Sequence, residues 1–295
     1  MDSISLIRTP IEAELRDFKE LFDSSLSSSN ALLDSVVSHI RQRNGKMMRP
    51  ILVLLVARLY GAVCPSTLHA AVSLELLHTA SLVHDDVVDE STERRGQLSV
   101  NAIFNNKVAV LTGDYLLATS LVHAELTNSH RIIQLVSTLG QDLADGELLQ
   151  LSNVSNHSFS ETVYFDVIRK KTAALFAACT EAAAYSVGVS EEEVKLARLL
   201  GEYIGICFQI KDDIFDYYSS GEIGKPTGND MSEGKLTLPA LHVLNTLGDE
   251  KMCQLAFRIK SLDATDAEIS LFIDYVKKNP PAGGIYAPGY RPDLH

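Results

Sequence analysis

At 295 residues, with 46% apolar and 22% charged side chains, the chain has the composition of a globular protein that buries a sizeable core, not of a disordered or fibrous one. A net charge of −12 argues against a general nucleic-acid or anionic-membrane binder, though it leaves room for local basic sites. Cys64, Cys179, Cys207 and Cys253 lie far apart, with no CxxC and no histidine at metal spacing. They read as small apolar side chains of a reducing compartment. The opening MDSISLIRTP lacks the basic and apolar regions of a secretory signal, and the longest strongly apolar run, residues 51–57, is far too short to span a membrane. A cytoplasmic location is the expectation.

In chain order, apolar periodicity predicts helices over 9–25, 29–42, 49–60, 66–89, 107–127, 130–150, 160–186, 190–218, 236–247 and 266–278. Leu76, Ala80, Val83 and Val87, for instance, recur at i, i+4, i+7 and i+11. Residues 66–225 contain no proline, the residue that most reliably interrupts a helix. No alternating β-branched run is bounded by turn signals, so no sheet is expected. The breaks between helices (GAVCP, RRGQLS, LSNVSNHS, YSVGVS, SSGEIGKPTGND) are short loops rather than linkers. The expectation is therefore an all-α, single-domain bundle of ten or more helices over residues 1–279. A tail over 280–295, with four of the nine prolines, should be irregular.

Two segments carry the chemistry. LVHDDVVDESTERRG places Asp85, Asp86 and Asp89 at the end of one predicted helix, and FQIKDDIFDY places Asp212, Asp213 and Asp216 near the end of another. In each motif the first and last aspartates are four residues apart and share a helical face. Like charges at that spacing destabilise an isolated helix, and near its C-terminus they also oppose the helix dipole. One such run reads ordinarily as a solvated acidic face. Two copies, each unfavourable to its own helix, point instead to hard divalent cations such as Mg²⁺, held by one or two carboxylates together with phosphate oxygens.

The basic residues indicate the ligand. NGKMMRP supplies Lys46 and Arg49, the first motif is followed by Arg94 and Arg95, RKKTA supplies Lys170, Lys171 and Thr172, and GKPTGNDMSEGK supplies Lys225 and Lys235. Singly these read as ion pairs; beside two cation motifs they suggest phosphorylated ligands. Neither GxxxxGK[ST] nor a helix-opening GxGxxG is present, which argues against a nucleotide fold. Ser81, then Leu77 and His78, lie one and two turns before Asp85, while Gly205 and Gln209 share the stripe of Asp212 and Asp216. With the alanine-rich KTAALFAACTEAAAYS, these small side chains read by default as close helix packing and alternatively as an apolar channel between helices.

From GKMMRP through HDDVVDESTERRG, GDYLLA, KTA and FQIKDDIFDY to GKPTGNDMSEGKLTLPAL, the chain resembles the trans (E)-isoprenyl diphosphate synthases, or polyprenyl synthetases. The resemblance implies a helical bundle around a central prenyl-binding cavity, and a reaction that extends allylic diphosphates with isopentenyl diphosphate. It implies Asp85, Asp89 and Asp212 as ligands of Mg²⁺, three ions per active site, with Asp86, Asp213 and Asp216 supporting them. Arg94, Lys171, Lys225 and Lys235 correspond to further contacts of the allylic diphosphate. Lys46, Arg49, His78 and Arg95 correspond to the isopentenyl diphosphate site, and Thr172 and Gln209 lie beside the reacting carbons. His78 alone reads as a buried core histidine. The family also implies a homodimer and a membrane-destined product.

In this family bulky residues at the fifth and fourth positions before the first aspartate block the growing chain; here those positions are Ala80 and Ser81. A helical turn is about 5.4 Å, close to one isoprene unit, so a plug there would stop growth early. Its absence favours a long-chain product of the octaprenyl kind, for a quinone side chain, over a farnesyl or geranylgeranyl synthase. A terpene cyclase, whose second metal motif is of an Asn/Ser/Glu type, and a non-catalytic subunit, which would show a degraded motif, fit less well. The tail departs from the family pattern: AGGIYAPGYRPDLH begins like a GGIEYA helix and then turns proline-rich.

Overall fold

The computed structural model describes residues 3–42, 47–94, 96–154, 159–218 and 228–280. Lys46, Arg95, Lys225 and the tail from residue 281 lie outside them. The described residues are helical apart from turns, loops and one small hairpin, and the chain divides into two compact units, Met1–Leu143 with Ala173–Gly205, and Ala144–Thr172 with Ile206–His295. No described helix is long and apolar enough to cross a membrane.

The first unit is built from α1 (Ser3–Arg8), α2 (Glu12–Ser25), α3 (Ala31–Gln42), α4 (Met48–Tyr60), α5 (Pro65–Val88), α6 (Val100–Ile103), α7 (Asn106–Leu126), the start of α8 (His130–Val154), α10 (Ala174–Ser186) and the start of α11 (Glu191–Tyr217). Helix α5 starts with Pro65 in its first turn and a reciprocal cap between Cys64 and Thr67. It packs along α7 through small side chains. At Gly113 the His84 ring lies over the space a side chain would take, with Nε2 2.1 Å from where a Cβ would stand. Further along, the Ser73 hydroxyl donates to the Ser120 carbonyl at 2.8 Å, and the Nδ1 atoms of His69 and His123 stand 3.0 Å apart. Burial, and then His69, lower the pKa of His123 to about 4, so this ring is neutral near pH 7.

The expectation of no sheet needs correcting in one place. Strands β1 (Glu93–Arg94) and β2 (Gln97–Leu98) pair antiparallel, with Gly96 at φ +76° in the turn. Two-residue strands carry no alternation that a pattern search detects, and the glycine supplies the left-handed turn.

The second unit holds α9 (Glu161–Ile168), the end of α11, α12 (Asn229–Ser232), α13 (Leu238–Leu247), α14 (Glu250–Lys260) and α15 (Asp266–Lys278). Phe272, Ile259, Ala256, Val243 and Tyr217 form its core. Helix α14 falls between the predicted segments 236–247 and 266–278. Gly248 at φ +61° ends α13, and Asp249 accepts from the amides of Lys251 and Met252 to start α14. The predicted helix over 160–186 is interrupted by a π turn at Arg169–Ala173, a local widening often found at functional sites.

Candidate active site

In both aspartate motifs the second aspartate is the buried one. Asp86 is 0% and Asp213 2% exposed, whereas Asp89 and Asp212 are exposed and Asp85 and Asp216 half-buried. Helical geometry explains the division: a residue one step along lies about 100° around the axis from its neighbour, so i and i+4 share a face that i+1 leaves.

In the first unit, Asp86 Oδ1 accepts from Arg94 Nε at 2.5 Å. Its backbone carbonyl accepts from the Ser91 amide (2.9 Å) and the Asn101 side chain (3.1 Å), which fixes the chain leaving α5. The hairpin thus delivers Arg94, expected as a diphosphate contact, onto a buried carboxylate of the first motif. Asp85 and Asp89 stand one turn apart at the end of α5, where the Asp89 amide donates to the Asp85 carbonyl. Earlier on the same helix lie the half-buried His78, the buried Ala80, and Ser81, whose hydroxyl donates to the His78 carbonyl at 2.9 Å. Arg49, in the first turn of α4, sets its guanidinium 5.4 Å from the centre of the Phe176 ring.

In the second unit a cavity of about 210 Å³ is lined by Lys171, Thr172, Gln209, Asp213, Asp230 and Lys235, among others. Lys171 pairs with Glu147 of α8 and donates to Gln150 at 3.3 Å; Lys235 donates to Glu233 at 2.6 Å. Asp213 accepts from the Tyr164 hydroxyl at 2.5 Å and from Gln209 Nε2 at 2.7 Å, and Thr172 donates to Gln209 Oε1 at 2.7 Å. Asp216 accepts from the amides of Asn229 and Asp230 at the start of α12. Sequence reading missed Tyr164, Asp230, Glu147 and Gln150. Asp230 stands inside GKPTGNDMSEGK as a single aspartate outside both DDxxD motifs, and Tyr164 belongs to no charged pattern.

Burial raises the pKa of Asp213 to about 6, with Asp212 and Asp216 adding to the rise and the bonds from Tyr164 and Gln209 opposing it. Burial raises that of Asp230 to about 7, reinforced by Asp216 and Asp213 and opposed by Lys235. Both start from 3.8, so the folded chain holds protons the unfolded chain has lost, and their contribution to stability falls as pH rises from about 4 to about 7. Asp230→Asn is therefore expected to raise the thermal midpoint by roughly 5 °C at pH 8 in EDTA and to change it little at pH 4. Differential scanning fluorimetry at the two pH values checks this.

The donors suit a hard cation. Asp212 with Asp216, and Asp85 with Asp89, each offer carboxylate oxygens one turn apart, and Mg²⁺ takes one or two such groups while water and phosphate oxygens complete its octahedron. Among the described residues no three His, Cys, Asp or Glu side chains form a cation cluster.

An all-α fold bearing two such carboxylate pairs is that of an isoprenoid synthase. The chain belongs to the polyprenyl synthetase family, whose model matches residues 30–276. It is 37% identical over 243 residues to octaprenyl diphosphate synthase of Haemophilus influenzae, covering 82% of this chain and 74% of that one. The crystal structure of a decaprenyl diphosphate synthase from Rhodobacter capsulatus is 36% identical, with a TM-score of 0.87 and coverage of 93% of this chain and 85% of that one. The crystal structure of geranylgeranyl pyrophosphate synthase from Bacteroides thetaiotaomicron is 72% identical, with a TM-score of 0.82 and coverage of 94% and 85%.

Proposed function

We propose that the protein condenses isopentenyl diphosphate with an allylic diphosphate, such as farnesyl diphosphate, to make a long-chain all-trans polyprenyl diphosphate. The observation that carries this reading is the cavity on which Lys171, Lys235, Thr172, Gln209 and Asp213 converge. By the family resemblance, Asp85, Asp89 and Asp212 would hold Mg²⁺, three ions per site, with Asp86, Asp213 and Asp216 in support. When bound, the metal neutralises charge developing on the departing diphosphate. By the same resemblance, Arg94, Lys171, Lys225 and Lys235 would hold the allylic diphosphate as cations. Lys46, Arg49, His78 and Arg95 receive isopentenyl diphosphate. Thr172 and Gln209 face the reacting carbons, while apolar walls keep water from the allylic cation.

The buried Ala80 and half-buried Ser81 put no bulk at the positions that stop short-chain products, and the octaprenyl and decaprenyl synthases among the relatives support a long chain. A geranylgeranyl product is the second reading, favoured by the 72% identity to the Bacteroides thetaiotaomicron enzyme. Product length decides between them: thin-layer or mass analysis after extension of farnesyl diphosphate should show chains beyond twenty carbons. Ser81→Phe should shorten those chains by at least one isoprene unit, since about one helical turn of wall is then filled. An unchanged product would end the channel argument at this position.

The homodimer reading is supported by apolar side chains exposed on α7, including Leu111 (68%) and Val122 (56%). A reducing, cytoplasmic location is supported by the four free cysteines, and a long prenyl chain would make the product membrane-destined.

A further inference from the structure

The hydrogen bonds that converge on Asp213 have a direction, and the direction has a consequence at the cavity wall. A carboxylate accepts and does not donate, so Asp213 takes the Tyr164 hydroxyl hydrogen at 2.5 Å and an amide hydrogen of Gln209 at 2.7 Å. That orients the Gln209 side chain with its carbonyl toward Thr172. A threonine hydroxyl has a single hydrogen, and this one is given to Gln209 Oε1 at 2.7 Å. What Thr172 Oγ1 still offers is its lone pairs, and Thr172 lines the same cavity as Lys171 and Lys235.

We infer that Tyr164 is a positioning residue for prenyl transfer: through Asp213 and Gln209 it sets the polarity of the Thr172 hydroxyl, so that an electron-rich oxygen rather than a hydrogen faces the carbon that gains positive charge. This rests on the proposed prenyl transfer. The local build favours a fixed hydroxyl. Tyr164 is 7% exposed, clusters with Ile168 and Leu241, and meets Phe165 edge to face at 5.3 Å between ring centres. Thr172 lies in the π turn, and Gln209 and Asp213 lie one turn apart on α11, so the chain of bonds ties α9 and the turn to the helix of the second motif. Bonds in series polarise one another, and an ionised acceptor at the end aligns the whole series. Without the Tyr164 hydroxyl, Asp213 loses one of its two anchors and the amide loses its fixed sense. The threonine hydrogen is then free to turn toward the cavity.

The test is a double-mutant cycle in the full-length protein, with farnesyl and isopentenyl diphosphates as probes. Tyr164→Phe keeps the packed ring; it should lower kcat by about tenfold with both KM values within about twofold. Thr172→Val should lower kcat comparably, and Tyr164→Phe should then add little to it; Thr172→Ser, which restores the hydroxyl, should regain part of what Thr172→Val loses and again respond to Tyr164→Phe. Gln209→Leu should be similarly non-additive with Tyr164→Phe, and that second cycle decides the matter if Thr172→Val does not fold. Effects that multiply, an unchanged kcat in Tyr164→Phe, or a loss recovered simply by assaying at lower temperature would overturn the inference alone. Absence of incorporation by the wild-type protein would overturn it together with the prenyl-transfer reading.

Discussion

Asp212→Ala is expected to lower kcat by about a thousandfold or more while leaving the thermal midpoint unchanged or slightly raised. The two halves of this prediction come from different physics. Asp212 is exposed on α11, one turn from Asp216, and like charges at that spacing disfavour the helix by about 0.2–0.5 kcal/mol. Removing Asp212 relieves that repulsion and opens no cavity. A residue kept only for stability would not be kept there. The proposed loss follows from its role as a metal ligand, since without it the charge on the leaving diphosphate lacks its counterion. Steady-state assay and calorimetry on one preparation check both halves. A large fall in the thermal midpoint would show that Asp212 does structural work instead.

Asp86→Ala is expected to do the reverse in emphasis, destabilising the protein by about 3 kcal/mol and lowering the midpoint by roughly 5 °C. Asp86 is fully buried, and its removal leaves the Arg94 guanidinium, with 27% of its side chain exposed, without the carboxylate that receives it at 2.5 Å. Because Arg94 can turn partly to solvent, the loss lies at the lower end of the range for breaking a buried ion pair. Asp86→Asn, which keeps the shape and a hydrogen-bond acceptor, should lie between the two. Chemical denaturation of the three proteins measures the order, and equal stability of wild type and Asp86→Ala would sink the assignment of Asp86 as a structural anchor.

The contrast between Asp86 and Asp212 marks what was legible in the sequence. That the aspartates come in pairs on one helical face follows from spacing, and the long proline-free span made an all-α chain the natural expectation. Which aspartate turns inward also follows from helical geometry, but what meets it there does not. Arg94 reaches Asp86 only because a hairpin of two-residue strands turns back at Gly96. Tyr164 reaches Asp213 across 49 positions of sequence. Such partners depend on tertiary packing, for which local periodicity holds no information. Helix α14 is a different kind of miss. Its signals were present, in the Asp249 cap and the spacing of Met252, Leu255, Ala256 and Ile259. Its strongly polar composition hid them beside the apolar helices elsewhere in the chain.

The measurement that tests the central claim most directly is incorporation of radiolabelled isopentenyl diphosphate into butanol-extractable product, with farnesyl diphosphate as primer and Mg²⁺ present. Incorporation that requires both primer and metal, into a ladder of chains longer than twenty carbons, is the predicted result. Release of pyrophosphate from farnesyl diphosphate alone, with no label incorporated, would contradict it and point to a cyclase.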